Sequence, residues 1–138
     1  MVQTNSKQRP ESALLDVRPP AADGPRAVVR CPSPVRKILL DGGGAWLTAG
    51  SADGSIRIGE ANSGDWRFVL TGHTGAIESL ALDDLGVLLA SSSSDHTIRI
   101  WEAQTGRCRC ILRGGAFPST AVAFSPDGER IASGDSDG

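Results

Sequence analysis

His73, Ser91 and Asp95 supply the imidazole, hydroxyl and carboxylate of a hydrolytic triad. In such a triad the imidazole takes the hydroxyl proton and the carboxylate orients the ring. The residues around Ser91 argue against that use. It lies in the run ASSSSDH, with no nucleophile elbow and no oxyanion-hole motif beside it. Cys108 and Cys110 offer two thiols, but a structural zinc site needs four ligands. Strand alternation places both on one face of an outer strand, where a packing or ordinary surface role is expected. The glycines at 42–44 could cradle a phosphate, yet the following AWLTAG lacks the Lys-Ser/Thr of a phosphate loop. They read as a turn. His96 stands in a tight turn and is expected to be an ordinary turn residue. Arg57 and Arg99, with Arg36, Lys37, Arg67, Arg107, Arg109 and Arg113, would make a basic surface. Acidic residues intervene throughout and no aromatic stacking track accompanies them, so nucleic acid is an unfavoured partner. The expected inventory is no catalytic residue, no cofactor and no metal.

The elements that carry these residues repeat. Asp53, Asp95 and Asp137 mark tight turns at a constant 42-residue step, the length of one propeller blade. The second copy is the best preserved. Ile77–Leu82, Leu88–Ser92 and Thr97–Trp101 alternate as strands, separated by DDLG and SSDH, and Arg109–Arg113 offers a fourth, outer strand. The first copy places strands near Arg36–Leu40, Trp46–Ala49, Ser55–Ile58 and Arg67–Thr71. The same step puts an outer strand at 26–30. The third copy supplies Thr120–Phe124 and Arg130–Ser133 around the turn SPDG. No long segment carries the apolar period of a helix.

Composition agrees with a turn-rich β chain: 17 Gly and 8 Pro occur in 138 residues. Charged residues are 22% and the formal net charge is −2, which argues against a dominant nucleic-acid surface. Three cysteines give no even disulfide set and suit a reducing compartment. No segment approaches the roughly 20 apolar residues of a membrane span. Residues 1–25 are polar and proline-interrupted. They are expected to form a disordered tail, the alternative being an interaction tail that uses Leu14, Leu15 and Val17.

The phrases GHTGAIESLAL, LLASSSSDHTIRIWEAQTG and VAFSPDGERIASG, held in a shared register, resemble the WD-repeat β-propeller family over residues 26–138. The resemblance implies an all-β, partial propeller of four-stranded antiparallel blades: an outer strand at 26–30, blades at 31–72 and 73–114, and a truncated blade at 115–138. Closed propellers contain about four to eight blades, so self-association or missing blades would complete a ring. Blades of this family often carry a His–Ser/Thr–Asp–Trp network, and the second copy matches it with His73, Ser91, Asp95 and Trp101. In the expected arrangement Asp accepts from the imidazole, His donates onward to Ser, and Ser donates to the indole neighbourhood or the backbone. The first copy has Cys31, Ala49, Asp53 and Gly59 at those positions, so it should rely on packing.

The function implied is a non-catalytic scaffold or adaptor that binds proteins or peptides. Asp53, Thr74, Ser94 and His96 are the candidate partner-facing loop residues, with His73 beside them at the start of a blade. The alternative is a regulatory propeller segment of a larger multidomain signalling ATPase or kinase. Cytoplasm is the expected location, with the nucleus as the second choice.

Overall fold

A computed structural model describes residues 2–5, 13–17 and 27–138, with side chains from Val29 onward. Among the described residues there are thirteen strands and no helix. β4 (Val35–Leu40), β5 (Trp46–Ser51), β6 (Ile56–Glu60) and β7 (Trp66–Leu70) form an antiparallel sheet in chain order. β8 (Ile77–Leu82), β9 (Leu88–Ser93), β10 (Thr97–Glu102) and β11 (Cys108–Arg113) form a second. β12 (Ser119–Phe124) and β13 (Ile131–Asp135) pair as a two-stranded sheet. The turns between the first two strands of each sheet are closed by side chains. Asp41 Oδ1 accepts from the Trp46 amide at 2.9 Å, and Asp83 Oδ1 accepts from the Val87 and Leu88 amides at 2.7 and 2.9 Å. Such side-chain bonds offer the chain a turn in place of a continued ladder.

The chain before the first four-stranded sheet differs from its expected form. β1 (Val2–Asn5) and β2 (Ala13–Val17) lie within residues 1–25, where composition predicts a tail without structure. They pair in the order β1-β2-β3 with β3 (Ala27–Cys31), the strand read from the repeat step. The physical reason is the unpaired edge of β3, whose ladder groups accept Ala13–Val17 as a neighbour. Local polarity does not record that partner. The rest of the expected tail, residues 1, 6–12 and 18–25, lies outside the described residues, as does residue 26 of the expected outer strand.

Three apolar clusters hold the sheets together. Val29 and Cys31 of β3 pack with Leu47, Ala49 and Ala61. Ile56, Ile58 and Leu70 of the first four-stranded sheet pack with Ile77, Leu80, Leu89 and Trp101 of the second. Ala90, Ile98 and Ile100 pack with Val122 of β12. Each four-stranded sheet therefore buries both faces, which explains why its two middle strands are almost wholly buried. The last interface is the least covered. Leu112 on β11 is 41% exposed, while Leu70, one repeat earlier, is 3% exposed.

Candidate functional site

Strand register and one turn bring the triad-like residues together. Ser91 lies on β9, Trp101 on β10, Asp95 in the turn between them and His73 in the loop before β8. His73 Nδ1 is 2.9 Å from Asp95 Oδ2, and His73 Nε2 is 2.7 Å from Ser91 Oγ. Trp101 Nε1 donates to the same Ser91 oxygen at 2.8 Å. Asp95 also accepts from the Thr74 amide at 3.0 Å, the Thr97 amide at 2.9 Å and the Thr97 hydroxyl at 2.6 Å.

These contacts fix the direction of the chain. Burial, aided by the Arg99 charge, pushes the His73 imidazole below its usual range, against the upward pull of Asp95. A neutral ring has one N–H, and Asp95 takes it at Nδ1. Nε2 therefore accepts from the Ser91 hydroxyl, and Ser91 accepts from the indole. This corrects the expected order, in which His donates onward to Ser. Burial opposes the ionised form of Asp95, but the Thr97 hydroxyl, His73 and the Thr74 and Thr97 amides outweigh it and hold the carboxyl at about 2.

The arrangement locks a loop. The His73 side chain is 0% exposed, Asp95 is 7% exposed and Ser91 is 0% exposed. Ser91 Oγ is buried between His73 and Trp101, which leaves a substrate carbonyl no route to it. Arg99 adds a second tie: its guanidinium donates to the Gly72 carbonyl at 2.9 Å and lies over the Trp101 ring at 5.8 Å. The segment from Gly72 to Thr74 is thus fastened to the turn and to both middle strands of its sheet.

The first four-stranded sheet uses other means. Asp53 bonds the Ser55 hydroxyl and amide at 2.6 and 2.9 Å, and Arg57 donates to Ser55 Oγ at 2.8 Å. Burial opposes ionisation of Asp53 too, but the Ser55 bonds hold its carboxyl below the usual range. Cys31 and Ala49 are fully buried in an apolar cluster. Burial pushes the Cys31 thiol up to about 11, against the pull of Arg57, so it is a protonated packing group. This sheet has two tryptophans, Trp46 at the start of β5 and Trp66 on β7, and Trp66 is the one at the matching cross-strand pair. It stands opposite Gly59, as Trp101 stands opposite Cys108. A Cβ at Gly59 would lie 2.9 Å from Trp66 Cε3 and would clash with the Asp65 carbonyl oxygen. Trp66 Nε1 donates to the Arg30 carbonyl of β3 at 2.8 Å.

Sequence reasoning missed Trp66 because it matched residues one repeat apart along β6. The signal was available in the cross-strand partner. It also placed Cys108 and Cys110 on one face. A bulge between Ile100 and Trp101 corrects this: Cys108 pairs with Trp101, Cys110 pairs with Ile100, and Arg109 lies between. The extra residue turns the two thiols to opposite faces. An ion pair between sheets was also missed: Arg36 reaches Glu78, one repeat on, at 3.2 Å. Among the described residues no three His, Cys, Asp or Glu cluster as metal ligands.

The expected partner-facing residues share one end of the sheets. Asp53, Thr74 and His96 are exposed and Ser94 is half-buried. Asp53, Ser94 and His96 lie in turns between the middle strands, and Thr74 lies in the neighbouring connection between sheets. His96 holds φ at 68°, where its counterpart Gly54 holds 85°. The turns at 41–45 and 83–87 lie at the other end.

The family model for the WD domain, G-beta repeat, matches residues 25–58, 64–102 and 106–138. No curated protein matches the chain. The fold is similar to the crystal structure of the Myceliophteria thermophila Cps50 (Swd1) β-propeller domain, with a TM-score of 0.72 at 20% identity. That match covers 77% of this chain and 34% of the other, so the chain spans about a third of that structure.

Proposed function

The chain belongs to the WD-repeat family, and from its surfaces we propose that it is a non-catalytic protein-interaction module. The observation that carries this reading is the inward use of its reactive groups. Imidazole, hydroxyl and carboxylate are buried and hydrogen-bonded to one another, while the loops they fasten stay at the surface. A stiff frame lowers the ordering cost of presenting loops to a partner. Asp53, Thr74, Ser94 and His96 form the presenting end, and proteins or peptides are its ligands. Three free thiols support a cytoplasmic setting, with the nucleus as the second choice.

A photo-crosslinking side chain placed at Thr74, Ser94 or His96 tests the reading. Discrete protein adducts are expected from these positions and not from Arg109 on the outer edge. Adducts from none of them would overturn the role. Turnover of an activated ester that disappears in Ser91→Ala would overturn its non-catalytic part.

A further inference from the structure

The groove at the end opposite those loops is unused by the reading above. Two cavities of about 400 and 470 Å3 share Asp41, Leu82, Leu85 and Gly86, so they form one groove across the turns at 41–45 and 83–87. Trp46, Ile58 and Phe68 line its inner part. Leu85 stands at its lip and is 83% exposed, the most exposed large apolar side chain described. An isolated exposed leucine needs no explanation, but one at the mouth of an aromatic-floored groove gives a partner side chain an apolar path inward.

Charge selects the occupant. Asp41, Asp83 and Asp84 line the groove against one cation, Arg67. That cation is already engaged: its guanidinium lies 5.8 Å from the Trp46 ring centroid and 4.0 Å from the Glu60 carboxylate. One oxygen each of Asp41 and Asp83 closes its own turn, while the Asp84 side chain is exposed and bonds no group among the described residues. The mouth is therefore acidic and the floor apolar.

We propose that this groove docks a segment of another protein in which a large apolar side chain is flanked by Lys or Arg. The apolar side chain enters over Leu85 toward Trp46 and Phe68, and the flanking cations meet Asp84 and its neighbours. Complementary charge speeds encounter and selects partners, while the filled pocket supplies the lasting affinity. The assignment rests on the interaction-module reading and names a second surface and a partner chemistry for it.

A random peptide library displayed on phage and selected on the immobilised chain is the probe. Selected peptides should carry a large apolar residue beside Lys or Arg. They should bind at least about tenfold more weakly to Asp84→Lys and to Leu85→Ser, and equally well to Ser94→Lys. Asp84 and Leu85 are exposed, and either variant with an unchanged far-UV circular dichroism spectrum suffices. Peptides that lose affinity only for Ser94→Lys would overturn the groove assignment and leave the interaction module standing. Peptides insensitive to the groove variants, or lacking the basic-apolar pattern, would also overturn it. A doubled mass in light scattering that Leu85→Ser abolishes would make a second copy the occupant and overturn it. Failure to select any peptide would count against both readings.

Discussion

In the second four-stranded sheet Trp101 stands on β10 and faces Cys108 on β11; in the first Trp66 stands on β7 and faces Gly59 on β6. Each pair puts one large and one small residue across the same two strands, so the volume sent toward the preceding sheet is similar. The chemistry is not. From β10 the indole N–H reaches Ser91 on β9, and Ser91 then needs His73, which needs Asp95. From β7 the indole N–H meets the Arg30 carbonyl of the preceding sheet instead. With no indole donor on β6, nothing there requires a hydroxyl at Ala49 or an imidazole at Cys31, and both positions pack as apolar groups. The four-residue network behaves as a unit: moving its donor by one strand removes the reason for two of the other three members.

A leucine pair breaks the comparison at its largest effect. Leu70 and Leu112 occupy the same strand position, and only Leu70 is covered by the next sheet. Leu70→Ala should cost about 2–5 kcal/mol in chemical denaturation. Leu112→Ala should stay within about 0.5 kcal/mol, as exposed substitutions do. An equal loss at both positions would mean that Leu112 is covered in solution, which a rise in mass by light scattering would register.

The network is the next largest. Trp101→Ala removes a buried side chain and leaves Ser91 without its donor, and should cost about 2–4 kcal/mol in the same measurement. A loss below about 0.5 kcal/mol would show that the network holds nothing. Its pH dependence has a fixed sign. Folding holds His73 below 6.5, so an unfolded chain takes up a proton that the folded chain declines. That contribution is complete above about 6.5 and shrinks as the pH falls below it. Asp95, held at about 2 against an ordinary 3.8, adds stability that is present above 3.8 and lost as the pH falls toward 2. Denaturation midpoints should therefore fall in two stages on acidification. The upper stage should vanish in His73→Gln, while a midpoint that rises on acidification would contradict the neutral, donor-to-Asp95 assignment.

The all-β fold was legible because the 42-residue step repeats turn chemistry as well as hydrophobicity. An Asp after each second strand and alternating residues such as Ile98 and Ile100 specify strands without tertiary information. The identities of His73, Ser91, Asp95 and Trp101 came from the resemblance to the WD-repeat family, whose pattern the second copy matches; the repeat step alone marks only the Asp, since the first copy has Cys31, Ala49 and Gly59 at the other three places. The direction of their hydrogen bonds could not be read that way, because it depends on burial neutralising His73. The bulge beside Trp101 escaped for a related reason: one extra residue on β11 changes the face of Cys110 without altering the strand's composition. β1 and β2 escaped because their partner is an edge, and an edge leaves no mark in the strand that covers it.

Gly59→Ala sharpens the large-small exchange. The new Cβ would press on the Asp65 carbonyl and the Trp66 ring. Overpacking of this kind costs about 1–3 kcal/mol. The reciprocal position should be lenient, because Cys108 already carries a side chain opposite Trp101 and is only half-buried. Cys108→Ala should stay below about 1 kcal/mol. If Gly59→Ala proved neutral by thermal melting, the glycine would owe its place to the local turn rather than to Trp66.

The smallest effect separates the two middle turns. Gly54 and His96 both hold a left-handed backbone, but a Cβ at Gly54 would fall 2.6 Å from the His73 carbonyl oxygen and 2.7 Å from that of Gly75. The neighbouring sheet therefore demands glycine at 54 on two grounds, conformation and space. At 96 the side chain is exposed and only the conformation is unfavourable. His96→Gly should relieve that strain and stabilise by up to about 1 kcal/mol, offset in part by the added freedom of the unfolded chain. Gly54→His should instead destabilise strongly, since strain and clash add. A loss of stability in His96→Gly would mean that the imidazole makes a contact worth more than the strain, and His96 would then be a structural residue of its turn rather than one free to meet a partner.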